Sequence, residues 1–173
     1  AQVQADYYLV LNPDIVVQHG ALDELLAFAD AHPRAGLVGP QLLNPDGSLQ
    51  DSCRRFYTFR TLLLRRTVLG KIFPDSETVR LHLMRDFDHR TARDVPQPMF
   101  SCIWIRGDAW RRVGELDTAY PLFFNDVDWC ARAAAAGMRI RFDPGVAVGG
   151  SRITDRGPGV DPVPLSGAGR RRG

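Results

Sequence analysis

Cysteine is scarce in this chain. There are three, Cys53, Cys102 and Cys130, odd in number, far apart and without any Cys-x-x-Cys spacing. That argues against a disulfide framework or a thiolate zinc site and makes a reduced, cytoplasmic compartment the default. No uninterrupted apolar run approaches the roughly 20 residues needed to cross a bilayer. The opening Ala1-Gln2-Val3-Gln4-Ala5-Asp6 has neither a basic n-region nor an apolar h-region, so no signal peptide is read there. An excess of one charge is also lacking: 22 Lys+Arg stand against 20 Asp+Glu, a net +2, and the overall balance implies no nucleic-acid partner. Internal repeats are not apparent. What is present is 173 residues, 45% hydrophobic and 24% charged, enough apolar material for one domain with a core. The first residue is not Met and a strand starts almost at once, so the chain reads as cut from something longer.

Tyr7 to Leu11 is a short, nearly continuous apolar run ended by Asn12-Pro13-Asp14, the pattern of a buried strand in a parallel or mixed sheet. Leu22, Leu25, Leu26 and Ala29 recur at helical spacing between Gly20 and His32, and Gly36 to Pro40 suggests the next strand. Strand, helix and strand within about forty residues is a βαβ signature of an α/β domain. Asn44-Pro45-Asp46-Gly47 is a turn. From about 50 to 93 arginine is dense and periodicity weak, an excursion over the sheet that is helical around Thr61 to Phe73. Met99 to Ile105 is again strand-like, and Asp108 to Val113 suggests a short helix. The clearest helix is Asp126 to Ala136, with Asp126 as N-cap, Asp128 in the first turn and Gly137 to end it. Arg139 to Phe142 and Val146 to Val148 read as two short strands. Cys102 and Trp104 read as core, and His82 and His89 carry no assignment. From 149 to 173 the Gly-, Pro-, Ser- and Arg-rich composition predicts a disordered tail.

Two constellations carry candidate chemistry, each with a bland counterpart. Asn12-Pro13-Asp14 ends a strand, where α/β sheets place ligands, and a carboxylate there can hold a hard divalent cation that bridges to a diphosphate. The alternative is an Asx-type turn made by Asp14. Phe123-Phe124-Asn125-Asp126-Val127-Asp128 opens a helix with two acids. Capping alone accounts for Asp126 and Asp128 locally. A carboxylate fixed at a helix start and facing a cleft is equally suited to act as general base.

In this order, the two constellations resemble the family-2-like, GT-A-fold glycosyltransferases, especially the bacterial rhamnosyltransferase-type branch. The resemblance runs from Tyr7 to about Val148. It is carried by Leu11-Asn12-Pro13-Asp14-Ile15-Val16-Val17 with Gly20, by Val38-Gly39-Pro40 and by Leu43-Asn44-Pro45-Asp46-Gly47-Ser48-Leu49-Gln50 with Cys53-Arg54-Arg55-Phe56. Arg85-Asp86-Phe87-Asp88-His89, Val113-Gly114-Glu115-Leu116-Asp117 and Asn125-Asp126-Val127-Asp128-Trp129-Cys130 with Arg132 and Gly137 complete it. The resemblance implies an incomplete GT-A fold, a mixed sheet flanked by helices, in residues 1–148, with the N-terminal nucleotide-binding half absent. It implies that Asn12 and Asp14 contact the donor, that Asp14 binds Mg²⁺ or Mn²⁺, and that Asp126 is the catalytic base, with Asn125 and Asp128 in support. The implied reaction is inverting transfer of a sugar, with rhamnose the family's suggestion, from a nucleoside-diphosphate sugar to a glycan or lipid-linked acceptor in cell-surface polysaccharide synthesis. This chain departs from the pattern at Asn125, where the family usually has Glu, and after Val148, where the family's His has no match. No Gly-rich phosphate loop replaces the missing donor half.

The arginine-rich excursion interleaves Arg54, Arg55, Arg60, Arg65, Arg66 and Lys71 with Phe56, Phe59, Leu62, Leu63, Leu64, Val68, Leu69, Ile72 and Phe73. The ordinary reading is a helix whose apolar face covers the sheet while its arginines are solvated. The functional one is peripheral contact with anionic lipid at the inner face of the cell membrane. A nucleic-acid surface fits poorly, because aliphatic rather than stacking aromatic residues separate the arginines. Against the enzyme stands a second reading of the whole chain, a catalytically incompetent domain that only binds acceptor or membrane.

Overall fold

The computed structural model describes residues 4–67, 76–120 and 124–150. The expected tail from residue 151 onward, the 68–75 part of the arginine-rich excursion and Phe123 lie outside these. The strands are β1 (Tyr7–Leu11), β2 (Ile15–Val16), β3 (Ala35–Leu43), β4 (Cys53–Arg54), β5 (Arg93–Asp94), β6 (Gln97–Pro98), β7 (Cys102–Arg106) and β8 (Arg139–Gly150). The helices are α1 (Ala21–Ala31), α2 (Phe59–Arg66), α3 (Glu77–His82), α4 (Gly107–Val113) and α5 (Asn125–Ala135). The main sheet has the order β1-β7-β3-β8-β2, with β5 added to the edge of β8, while β4 and β6 form a separate antiparallel pair. β3 and β8 run parallel and the other pairs antiparallel, so the sheet is mixed and flanked by helices.

The strand–helix–strand reading holds with one change: β7 is inserted between β1 and β3. β1 is therefore an edge strand rather than a buried one, with Leu9 37% and Leu11 41% exposed. Strand alternation then sorts the core onto two faces. Leu37, Ile103, Ile105, Ile140 and Phe142 point to the side covered by Ala109 of α4 and by Trp129, Cys130 and Ala133 of α5. Val38, Leu42 and Cys102 point to the other, against Ala21, Leu25 and Ala29 of α1, with Trp104 half-buried beside them. Each fully buried large aliphatic or aromatic side chain contributes roughly 1.5–3 kcal/mol.

The two strands expected around Asp143-Pro144-Gly145 are one strand with a bulge. Pro40 pairs with Asp143, yet Gln41 pairs with Ala147, so three residues of β8 are inserted between consecutive partners. An odd insertion reverses which face a given parity occupies. Ile140 and Phe142 accordingly join the α5 side, while Val146 and Val148 join the α1 side. Asp143 sits in the bulge, 5% exposed, its Oδ1 accepting the Gly145 N–H at 2.9 Å.

α5 begins one residue earlier than expected, and Asp126 is not its cap. The N-cap is Phe124, in the left-handed region at φ 70°, which makes Asn125 and Asp126 the first two helical residues. The C-terminus follows the sequence. Gly137 at φ 72° donates its N–H to Ala134 O, and Met138 N–H reaches Ala133 O, both at 2.9 Å, the two bonds of a Schellman motif.

α2 reverses the ordinary reading of the arginine-rich excursion. Thr61 is the buried residue at 2% exposure, its N–H capped by the Thr58 side chain, while Phe59, Leu62 and Leu63 face outward. The Thr58 and Thr61 hydroxyls lie 2.9 Å apart at the start of the helix.

Candidate active site

Asp126 is held by neighbours on both sides. Its Oδ1 accepts the Val127 N–H at 2.8 Å, and its Oδ2 accepts a hydrogen bond from Gln97 Nε2 at 3.1 Å. Asn125 Oδ1 accepts the Asp126 N–H at 2.7 Å. Two of the orphan donors at the start of α5 are thus satisfied by side chains of its own first turn. The carboxylate is half-buried and sits at the positive end of the helix dipole.

Gln97 reaches Asp126 because of Gly39. A Cβ on Gly39 would lie 2.9 Å from Pro98 Cβ, so only glycine in β3 lets β6 settle against the α5 side of the sheet. Gln97 is 2% exposed, and its Oε1 has no hydrogen-bond partner among the described residues. A buried amide with one end bonded and the other unsatisfied costs stability, the usual sign of a residue kept for its position. Nothing in Val95-Pro96-Gln97-Pro98 marks it in the sequence, since two prolines and no periodicity surround it.

Asp128 is engaged elsewhere. Arg132, four residues on, bonds its Oδ2 through Nε at 2.9 Å and also caps Val113 O at 2.6 Å and Glu115 O at 2.9 Å. With Trp129 Nε1 donating to Gly114 O at 2.9 Å, this clamp ties α5 to the end of α4. The i, i+4 spacing of Asp128 and Arg132 was the available sequence signal for it.

Asn12 and Asp14 occupy the turn after β1, both exposed. Asn12 N–H donates to Ser101 O at 2.9 Å, and Ile15 N–H closes the turn onto Asn12 O at 3.2 Å. Ser101 is only four residues beyond Gln97, a span of at most about 14 Å. One short segment therefore touches Asp126 at one end and the Asn12 turn at the other, bringing both constellations to the same end of the sheet. Among the described residues no group of three or more His, Cys, Asp or Glu side chains converges to cage a metal. Asp14 presents there one exposed carboxylate, the type of oxygen ligand a hard divalent cation takes.

The three thiols lie apart from this chemistry: all are free and buried. Burial pushes Cys53 up to about 12 and Cys102 up to about 11, and burial together with the nearby Asp126 carboxylate raises Cys130 as well. His82 and His89 are buried too, the His82 ring tilted against Tyr57 at 4.4 Å between centroids and His89 Nδ1 donating to Phe87 O at 2.9 Å.

A mixed α/β sheet flanked by helices, with an acidic helix start and a strand-end Asp at one end of the sheet, is compatible with part of a glycosyltransferase fold, and by sequence the chain is related to the rhamnosyltransferase-type glycosyltransferases. It is 32% identical over 146 residues to the N-acetylglucosaminyl-diphospho-decaprenol L-rhamnosyltransferase of Mycobacterium tuberculosis strain ATCC 25618 / H37Rv, and equally to that of strain CDC 1551 / Oshkosh. The match takes in 83% of this chain and 46% of each relative, so the chain spans a little under half the length of the curated relatives it matches. No family model matches the chain. Among the described residues no helix is long and apolar enough to cross a membrane.

Proposed function

We propose that this chain is the acceptor-side segment of an inverting, GT-A-type glycosyltransferase, residues 1–148 being part of its catalytic domain. It would serve transfer of a sugar, rhamnose on the relatives' example, from a nucleoside-diphosphate sugar to a lipid-linked glycan acceptor in cell-surface polysaccharide synthesis at the cytoplasmic face of the membrane. The observation that carries this reading is the double hold on Asp126 at the start of α5. A general base must keep one geometry while its acceptor arrives, and two donors on one carboxylate supply that.

In the proposed reaction an acceptor hydroxyl oxygen attacks the anomeric carbon of the donor. The bond from that carbon to the diphosphate oxygen breaks on the opposite face, and Asp126 takes the hydroxyl proton. Gln97 and the Val127 N–H keep the carboxylate oriented during the transfer. Asn12 and Asp14 face the diphosphate side. A divalent cation held there by Asp14 would neutralise charge on the departing nucleoside diphosphate.

A binding-only domain is the competing reading, favoured by Asn125, whose Oδ1 is used as a cap on the Asp126 N–H and which cannot carry a charge. Isothermal titration with nucleoside-diphosphate rhamnose, with and without Mn²⁺, together with a transfer assay on a polyprenyl-diphospho-N-acetylglucosamine acceptor, separates the two. Metal-dependent donor binding with transfer is expected of the longer enzyme of which this chain is the proposed segment. Acceptor binding with no donor binding under either condition would leave only the binding domain.

A further inference from the structure

α2 presents the wrong face to solvent for a helix that merely covers a sheet. Phe59 is 81% exposed, Leu62 39% and Leu63 41%, and the spacing i, i+3, i+4 puts all three on one stripe. The residue turned inward is Thr61. Leu81, 41% exposed, extends the apolar surface from α3, which packs against α2. Scattered exposed leucines need no explanation, but a continuous stripe headed by an almost fully exposed phenylalanine does.

The segment that carries the stripe is basic in sequence. Between Ser52 and Pro74 there are six basic residues, Arg54, Arg55, Arg60, Arg65, Arg66 and Lys71, and no acid. Arg55 is neutralised by Asp86, to which it gives two hydrogen bonds, while Arg60 is exposed within the stripe itself. Outward phenylalanine and leucine among arginines match a layer that is apolar within and negative at its surface. An acidic protein groove would satisfy the charge but would not call for the full exposure of Phe59.

The helix is also linked to the candidate site. Tyr57, one residue before the Thr58 cap of α2, has its ring 5.7 Å from that of Phe124, the residue that opens α5 two positions before Asp126. We propose that the Phe59–Leu62–Leu63 face of α2, with Arg60, is a docking surface for an anionic lipid bilayer, seated so that the start of α5 lies beside the membrane. The docking does not depend on the catalytic reading, because it is measured by binding alone.

Co-sedimentation with phosphatidylcholine vesicles and with mixed phosphatidylcholine–phosphatidylglycerol vesicles tests it. The wild type should partition onto the anionic vesicles in preference to the neutral ones, and less so as salt is raised. Replacing Phe59, Leu62 and Leu63 together by Ser should weaken this partitioning at least about tenfold. Arg60→Glu should weaken it about fivefold for each unit of charge changed. Thermal unfolding of each variant checks that the fold is kept, and should the triple variant unfold, Arg60→Glu decides. The proposal is overturned if the wild type shows no preference for anionic vesicles, or if folded triple variant binds them as the wild type does. Unaltered vesicle binding with a lost self-association, or with a lowered melting temperature alone, would assign the stripe to a second copy or to residues 68–75 and would equally overturn it.

Discussion

Asp126 and Asp14 stand at the ends of two different elements, and the fold treats them differently. Asp126 is half-buried at a helix start, with one oxygen tied to the backbone and the other to a buried glutamine from a separate strand pair. Asp14 lies exposed in a turn beyond an edge strand, a turn closed by the Ile15 N–H on Asn12 O. The contrast matches two chemical duties. A base has to be aimed before the substrate arrives, whereas an ion ligand can be completed by the phosphate that brings the ion.

If Asp126 depends on being aimed, moving its carboxylate while keeping its charge is damaging. In the longer enzyme of which this chain is the proposed segment, Asp126→Glu should lower kcat about a hundredfold, read by steady-state transfer, with donor affinity unchanged. Asp14→Ala should act on the other side of the comparison, weakening Mn²⁺-dependent donor binding by about one to two orders of magnitude in a titration. Equal loss of donor affinity in both variants would erase the distinction. Gln97→Leu sharpens it: kcat should fall about tenfold while chemical denaturation shows stability within about 1 kcal/mol, because the substitution removes an unsatisfied oxygen along with one hydrogen bond.

The smallest effect concerns the β8 bulge. Burial raises Asp143, a shift that the Gly145 N–H bond opposes. A carboxyl whose folded value is raised binds its proton more tightly in the native state, so its charge lowers stability above that value. The cost disappears as pH falls below the ordinary 3.8. Asp143→Asn should therefore be slightly more stable than wild type at neutral pH and no different at pH below that value, measured by urea unfolding across the range.

Much of the framework was legible in the chain. The apolar run at Tyr7–Leu11, the helical spacing through Leu25 and Ala29, and Gly137 as a helix stop all act locally, within one turn or one strand. What escaped depends on distant partners. β1 is an edge because β7 pairs on only one side of it, which its own composition cannot reveal. The face swap of β8 shows only in the pairing to β3. The start of α5 shifted by one residue because Phe124 takes the left-handed conformation, uncommon for a residue with a Cβ. Both constellations were visible as acids beside turns, but the glutamine that steadies one of them was not, since its role exists only once Gly39 lets β6 lie against the sheet.

The central claim is that Asp126 takes the acceptor's proton and does nothing essential for the donor. In the longer parent enzyme, Asp126→Asn keeps the shape and one acceptor oxygen but removes the base. Single-turnover transfer by this variant, with donor affinity titrated in the same preparation, should show a rate lower by about a hundredfold to ten-thousandfold and donor binding unchanged. Full turnover by Asp126→Asn would contradict the account.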